Sequence, residues 1–571
     1  MRYDAPRHRA IGQDMTQNTS GKPEQAAPLS KRIIASLLIR PEISATMLLL
    51  LTALYILVVS NLTFWSLCAE IFAGRPLNTL LFGAIGFSVI LFSLAIPTLP
   101  LVQKWALALL VILASVSAFY QDVLGVVIDV DMLQNVANTT SNEAKHLITV
   151  PFVSRVVLLG LLPALVITRV RVRPQKLWKQ GLIWVLTWVL AFALFLALVF
   201  ADFKTNSSVI REHKELNWSI QPAAPLAGAF NFVKRLVRTR NIVAEPIALD
   251  VAPGAKLGAA TKPVFLVIVV GETARAQNFS LNGYGPDTNP ELRKRDAIFY
   301  HDVSSCGTST AVSMPCMFSR LPKADYSFQA GKSEENLLDV LVRAGFAVEW
   351  LDNNTGDLGI AARIPSSTLT GGTDVAACAL GECNDEVFLA PLKERLAKNN
   401  GNTALVVHQI GSHGPSYYLR YPTGFEPFAP ACQSSNFADC TSAEIVNAYD
   451  NTIAFTDKFL GEVIDTLGAQ DRFLTAMVYM SDHGESLGEN GLYLHGAPYF
   501  LAPPEQTKVP AALWFSDAFS QQMGLDTDCL RKGTNSPISH DNLFSTSLGM
   551  LDLKTSAADP ALDLTAACKS N

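Results

Sequence analysis

Charge is sparse in this chain. Only 17% of its 571 residues are Asp, Glu, Lys or Arg while 49% are hydrophobic, too apolar for an ordinary soluble protein, so part of the chain belongs in lipid. A basic excess is also lacking. The net charge is -5 and no Lys/Arg stripe is interleaved with aromatics, which excludes nucleic-acid binding as a class. No CxxC pair occurs, which removes a zinc knuckle and a thioredoxin-like redox motif. The polar first 40 residues hold no short apolar core with a small-residue cleavage site after it, so they do not read as a removable signal peptide.

The residues present divide the chain into two unlike halves. Apolar stretches crowd before position 201, at Thr46–Trp65, Leu77–Ile96, Trp105–Phe119, Phe152–Ile167 and Leu182–Phe200. A span needs about 20 residues to cross about 30 Å of hydrocarbon, and the shorter stretches reach that with their flanks, so five transmembrane helices are predicted. Cations accumulate on the cytoplasmic side of a membrane. That rule places inside both the tail with Arg2, Arg7, Arg9, Lys31, Arg32 and Arg40 and the loop with Arg169, Arg171, Arg173, Lys176 and Lys179. An odd number of spans then sends everything after Phe200 to the far side. Were one stretch a buried core helix instead, the second half would return to the cytoplasm.

Cysteine usage opposes that return. Of nine cysteines only Cys68 precedes position 300; the other eight suit disulfides in an oxidising compartment. Spacing suggests Cys306 with Cys316, Cys378 with Cys383, and Cys432 with Cys440, leaving Cys529 with Cys568. The expected organisation is a cytoplasmic tail over 1–40, a five-helix membrane bundle over 41–201, amphipathic bridging segments and a linker over 202–262, and a soluble domain over 263–571. The polar loop Gln121–His146 reads either as a solvated connection or as a docking element. In the second case Asn135, Thr139 and Glu143, four apart, would share one helical face toward the outer domain and lipid headgroups.

The second half has short β-rich runs at Val264–Val270, Ala347–Leu351, Ala404–Val407, Ala476–Met480 and Val509–Phe515, separated by helical patterns. Such runs suit a parallel sheet covered on both faces, an α/β domain whose ligands collect beyond the strands' carboxyl ends. Acids and imidazoles stand at those ends: Glu272 after the first run, His408 and His413 after the third, Asp482-His483 after the fourth, with His495 beyond. Carboxylate plus imidazole without thiolate suits Zn²⁺ or a similar divalent ion. Glu272 alone is also compatible with a helix cap, and His408 with packing or a hydrogen bond inside the sheet. A turn crowded with hydroxyls, Ser304 to Cys316, contains Thr308, Ser309 and Thr310. One of them beginning a helix would set its hydroxyl and backbone N–H groups toward a phosphate, or would simply cap the helix.

Several ungapped strings make the reading specific: Val270-Gly-Glu-Thr-Ala-Arg275, Ser280 to Pro290, Ser305 to Ser319, His413-Gly-Pro, and Ser481-Asp-His-Gly-Glu running to His495. The chain resembles, over nearly all its length beyond the N-terminal tail, lipid A phosphoethanolamine transferases, the family that includes mobile colistin-resistance enzymes. The resemblance implies a helical membrane bundle plus a domain of alkaline phosphatase/sulfatase-like fold. It implies Zn²⁺, one ion tightly bound and optionally a second, at Glu272, Thr310, Asp482 and His483, with Thr310 the nucleophile. His413 and His495 are implied to hold the phosphoethanolamine or a second metal, and Asn135, Thr139 and Glu143 to meet the donor lipid.

The implied reaction carries phosphoethanolamine from phosphatidylethanolamine to a lipid A phosphate, at the inner membrane of a Gram-negative bacterium with the catalytic domain periplasmic. Lower surface charge and resistance to polymyxins and cationic peptides would result. The partners expected are those two lipids and the bilayer, with the protein a monomer. One departure stands out. After Asp352-Asn353-Asn354 the family continues with Gly-Cys-Lys-Gly-x-Cys, whereas this chain reads Thr355-Gly-Asp-Leu-Gly-Ile-Ala361. Asn354 is retained as a substrate-side residue while a disulfide and a lysine are missing. The alternatives are a zinc-dependent phosphodiesterase or sulfatase-type hydrolase, and a transferase acting on the lipopolysaccharide core sugar. A catalytically idle lipid sensor would show a broken ligand set, and here all four positions are filled.

Overall fold

A computed structural model describes residues 41–369, 377–379 and 382–570. The expected cytoplasmic tail lies outside the described residues, as do the side chains of Asn142 and Glu143. Among the described residues four helices are long and apolar enough to cross a membrane: Pro76–Ala95, Gln103–Leu124, Val150–Arg169 and Leu177–Ala201. The first expected span, Thr46–Trp65, is instead a bent pair, Ala45–Val59 and Leu62–Ile71, meeting at 65°; counted as one it makes five. The cause of the break is Asn61. Its side-chain amide donates to the carbonyls of Ile56 at 2.9 Å and Gln221 at 3.2 Å, and its oxygen accepts from Gln221 N at 2.7 Å. A buried polar side chain satisfied by a distant backbone fixes the chain's path there. Gln221 also donates to Gln121 at 2.7 Å, so the end of the span Gln103–Leu124 joins the same node.

Gly125, left-handed at φ 73°, ends that span, and the polar loop then forms two short helices. Asp129 caps Val130–Asn138 by accepting from the backbone N–H groups of Asp131 at 3.0 Å and Met132 at 2.9 Å. Thr139 leaves this helix with ψ 130°, and Ser141–Leu147 starts anew. Asn135, Thr139 and Glu143 therefore do not share one continuous helical face, and the side chain of Glu143 lies outside the described residues.

The second half is built on an eight-stranded sheet. Its strands are β1 (Val264–Gly271), β2 (Ile298–Ser304), β3 (Ala347–Asp352), β4 (Ser366–Thr368), β5 (Thr403–His408), β6 (Leu474–Ser481), β7 (Lys508–Phe515) and β8 (Ile538–Ser539). They lie in the order β8-β2-β7-β6-β1-β5-β3-β4. Every residue of β1, β5 and β6 is buried. Along β1, Val264, Leu266, Ile268 and Val270 enter one apolar core while Phe265, Val267 and Val269 enter the other, the period-two alternation of a strand covered on both faces. The expectation of a parallel sheet needs one correction. β7 runs antiparallel to both β6 and β2, because the chain reaches it from β6 by a long loop along the same end of the sheet, without a crossover helix.

Between the halves, the expected amphipathic pieces are the helices Phe203–Glu212, Lys214–Trp218 and Ala223–Thr239. Gly228 lets the last of these approach the loop so closely that a Cβ there would stand 3.0 Å from the Ile128 carbonyl, and Arg235 donates to Asp131 at 2.7 Å. The stretch read as a linker is a fitted belt. Ile247, Ala248 and Leu257 are buried in a sheet core, and Ala252–Pro253 pairs antiparallel with Leu553–Lys554.

Four disulfides form: Cys306–Cys316, Cys378–Cys383, Cys432–Cys440 and Cys529–Cys568; Cys68 is free and buried. The last closes the longest loop, 39 residues, against 5 for the shortest. Loop-closure entropy then ranks it first, at about 4 kcal/mol. Replacing Cys529 and Cys568 by Ala is expected to lower the thermal unfolding midpoint of the full-length protein more than replacing Cys378 and Cys383, as differential scanning fluorimetry would read.

Candidate active site

The sheet's register assembles the site. Ser481 pairs with Gly271, and His408 pairs with both Val270 and Asp352, so four strands end flush. The residues beyond those ends, Glu272 and Asp482-His483, fall together at one edge, fully buried. Glu272, Asp482 and His483 offer ligand atoms within 4.8 Å of one another. Asp482 uses one oxygen to accept from the N–H groups of His483 at 2.7 Å and Thr273 at 3.2 Å; its other oxygen makes no hydrogen bond. Burial and the Glu272 charge push the Asp482 carboxyl up to about 6. Burial disfavours the charged His483 imidazole, but Asp482 and Glu272 outweigh it and raise its pKa to about 9. The second Asp482 oxygen faces His483 Nε2 at 3.3 Å, and two buried carboxylates converging on one imidazole with no thiolate fit a divalent cation.

A hydroxyl completes the group. Ser309 is the extended residue before the helix Thr310–Met317, so Thr310 is the first residue of that helix. Its Oγ1 lies 3.2 Å from each oxygen of Glu272 and 3.3 Å from His483 Nε2. The turn that presents it is held throughout. Gly307 N donates to Ser313 Oγ at 2.9 Å, Thr308 Oγ1 donates to the Ala497 carbonyl at 2.6 Å, and the Cys306–Cys316 bond closes its base. A Cβ on Gly307 would come within 2.8 Å of Val312, which is why glycine stands there. Of the three candidate hydroxyls, only that of Thr310 reaches the carboxylate.

Two supports act through partners that the sequence does not reveal. His408 is compatible with a bland interpretation, yet its Nδ1 sits 2.8 Å from Asp352 and its Nε2 faces Glu272 at 3.7 Å. Burial disfavours its charge, but Asp352 and Glu272 together raise its pKa to about 10. His540 belongs to none of the motifs. It is buried, accepts from Cys306 N at 3.1 Å through Nδ1, and donates through Nε2 to the Ser481 carbonyl at 2.9 Å, pinning the hydroxyl turn to the end of β6. Burial pushes its pKa down to about 4, so it is neutral. No spacing rule points to it, because its partners are backbone atoms 234 and 59 positions away. Asn354 donates to Glu272 at 2.7 Å and to the Gln409 carbonyl at 3.1 Å. His413 and His495 lie outside this group with ring centroids 5.3 Å apart, and His495 stands 4.5 Å from His483. Glu485 holds His495 Nδ1 at 2.8 Å while accepting from Tyr417 at 2.7 Å.

Comparison with known proteins agrees with this construction. Residues 86–237 match the family model described as phosphoethanolamine transferase EptA/EptB, and residues 265–553 match the sulfatase model. The chain is 35% identical over 547 residues to phosphoethanolamine transferase EptA of Escherichia coli K12, covering 94% of this chain and 99% of that one. The chain belongs to the phosphoethanolamine transferase family. It is also 36% identical to phosphatidylethanolamine transferase Mcr-1 of Escherichia coli, over 92% of this chain and 98% of the other. Among solved structures, the integral membrane lipooligosaccharide phosphoethanolamine transferase A of Neisseria meningitidis superposes with a TM-score of 0.87 at 34% identity, covering 93% of this chain and all of that chain. The fold expected from the sequence, apolar membrane helices plus an alkaline phosphatase/sulfatase-like domain, therefore stands.

In this phosphoethanolamine transferase the membrane half forms one wall of the site. The loop helix Val130–Asn138, which carries Asn135, packs on the helix Thr310–Met317. A Cβ on Gly496, next to His495, would collide with Met132, and one on Gly125 would collide with Leu492. Neither Asn135 nor Thr139 makes a side-chain hydrogen bond to the Thr310 group among the described residues; Thr139 bonds back to the Asn135 carbonyl at 3.0 Å. A polar latch joins the same two halves farther out. His146 Nε2 meets Glu382 at 2.9 Å, Arg420 donates to the other Glu382 oxygen at 2.5 Å, and Arg420 donates to the His413 carbonyl at 2.8 Å. Burial opposes the Glu382 charge, but His146 and Arg420 outweigh it and hold the carboxyl down at about 2. Glu382→Gln leaves Arg420 buried beside a neutral amide, and kcat/KM is expected to fall about tenfold with metal content unchanged. Steady-state kinetics with parallel metal analysis would check this.

Proposed function

We propose that this chain transfers phosphoethanolamine from phosphatidylethanolamine to a lipid A phosphate through a covalent Thr310 intermediate. The observation that carries the reading is the Thr310 hydroxyl inside the Glu272–Asp482–His483 group, at the N-terminus of a helix packed against the membrane loop. Glu272, Thr310, Asp482 and His483 would hold Zn²⁺. Once bound, such an ion supplies the Lewis acidity that makes a hydroxyl nucleophilic at neutral pH.

In the first displacement Thr310 Oγ1 bonds to phosphorus, the bond from phosphorus to the glycerol oxygen breaks, and the hydroxyl proton leaves to solvent. His495 or His413 gives a proton to the departing diacylglycerol oxygen. In the second, a lipid A phosphate oxygen attacks the same phosphorus, the bond from phosphorus to Thr310 Oγ1 breaks, Thr310 and the histidine each regain a proton from solvent or the attacking phosphate, and the enzyme is restored. The backbone N–H groups that begin the helix Thr310–Met317 favour the phosphate's charge in both steps. A cavity of about 200 Å³ between Tyr120 and Leu147 of the membrane half and Pro415, Phe437 and Leu494 of the catalytic half suits the apolar part of a lipid donor.

One relative bears on the alternative acceptor: Kdo(2)-lipid A phosphoethanolamine 7''-transferase of Escherichia coli, 33% identical over 267 residues and 45% of each chain, is named for a position on the Kdo sugar rather than for a lipid A phosphate. We place the membrane bundle, with the tail 1–40 cytoplasmic, in the inner membrane of a Gram-negative bacterium and the catalytic domain 263–571 in the periplasm. The four disulfides suit that compartment. A less anionic lipid surface and resistance to polymyxins, colistin included, are the expected consequences. Mass spectrometry of lipid A from cells with and without the protein is expected to show phosphoethanolamine added only in its presence. Free phosphoethanolamine with unmodified lipid would instead establish a hydrolase, and addition confined to the core sugar would move the acceptor.

A further inference from the structure

A second cavity, of about 290 Å³, opens beside the helix Thr310–Met317. The bridging helix, the segment around residues 326–336 and the segment around 358–363 supply its walls, and Pro315 closes its inner side. Four charged side chains line it: Arg240, Lys332, Glu334 and Arg363. Two of them are already satisfied. Glu334 accepts a two-pronged contact from Arg320 at 2.7 and 2.8 Å, and Arg363 gives one to Asp339 at 2.6 Å on both prongs. Arg240 and Lys332 have no carboxylate within ion-pair distance among the described residues, so the walls carry two uncompensated positive charges.

The lining also offers a neutral donor. The Tyr326 hydroxyl makes no hydrogen bond among the described residues, and burial pushes its pKa well up, so it keeps its proton. Phe328 adds an apolar surface, with the Lys332 ammonium 5.0 Å from its ring centre. Two cations, a spare hydroxyl donor and an aromatic face are the chemistry that grips a phosphate on a sugar ring. The cavity wall and the reacting hydroxyl also share one helix. Pro315 lies five residues beyond Thr310 on one helix, roughly 8 Å at 1.5 Å per residue. That is on the scale of a disaccharide.

We propose that this cavity holds the phosphate-bearing sugar of the acceptor that is not being modified, so that the enzyme selects a bisphosphorylated saccharide lipid. The proposal rests on the transferase reading above and adds a second anchoring point to it. Two arms test it on the full-length protein in detergent. In the kinetic arm, wild type is expected to show a lower KM for bisphosphorylated than for monophosphorylated lipid A. The variant Arg240→Gln/Lys332→Gln is expected to raise the first KM about tenfold, so that the ratio between the two acceptors collapses toward one. In the binding arm, glucosamine 1-phosphate is titrated calorimetrically, and saturable binding to wild type is expected to be lost in the double variant.

A KM that rises equally for both acceptors, or does not change, overturns the proposal. So does binding confined to phosphatidylglycerol vesicles, with none to the sugar phosphate, since the cations would then be serving the bilayer. A wild type that modifies neither acceptor yet binds the sugar phosphate through these residues would sink the transferase reading and keep the cavity.

Discussion

Thr310→Ala is expected to lower transfer by at least about a thousandfold, because the nucleophile is removed and no neighbouring hydroxyl can replace it. Ser309, the extended residue before the helix, makes no hydrogen bond to the carboxylates among the described residues, and Thr308 is committed to the Ala497 carbonyl at 2.6 Å. Incubation with phosphatidylethanolamine and no acceptor should leave one phosphoethanolamine on the wild-type peptide bearing Thr310, and none on the variant. Thr310→Ser, which retains a hydroxyl, should recover part of both signals. The assignment fails if Thr310→Ala still modifies lipid A while Thr308→Ala or Ser309→Ala does not. Loss of the bond from Thr308 to Ala497 alone should cost about tenfold or less.

Asp482→Asn is the second large effect, and it separates metal binding from folding. The variant loses a charge at a buried oxygen that makes no hydrogen bond and faces only the His483 imidazole at 3.3 Å, so zinc occupancy should fall and transfer should drop about a hundredfold or more. Stability should move in opposite directions with and without metal. In chelator, Asp482→Asn removes a charge that burial and Glu272 both oppose, so its unfolding midpoint should exceed that of the chelated wild type. With zinc restored the order should reverse. Full activity of a chelated, metal-free wild type would refute the zinc mechanism.

The short apolar strands are legible in the sequence because burial on both faces leaves near-continuous Val, Ile and Leu runs. Glu272 and Asp482-His483 are legible because each directly succeeds such a run. The reversed direction of β7 is not, since an antiparallel strand flanked by buried neighbours has the same composition as a parallel one. The break at Asn61 is hidden for a related reason. One amide inside an apolar run is indistinguishable from a tolerated polar residue until its partner, the backbone of Gln221, is known. His540 and the Asp352–His408 pair act through partners far away in sequence, and local patterns carry no record of them. The belt at Ile247, Ala248 and Leu257 reads as a linker because its Ala, Pro and Gly content outweighs three apolar residues that the sheet covers.

The wall that the membrane half lends to the site bears on inhibitor discovery. Met132 against Gly496 and Leu492 against Gly125 define a seam that exists only where both halves are present. Compounds screened on an excised catalytic half would be selected for a cleft open on that flank, rewarding small polar zinc binders and passing over molecules shaped to the seam. A wedge-shaped ligand found on the intact protein would also meet an unusual barrier to escape. Gly125 and Gly496 are both left-handed, at φ 73° and 87°, so few side chains are tolerated at the positions where a resistant variant would most readily reshape the seam.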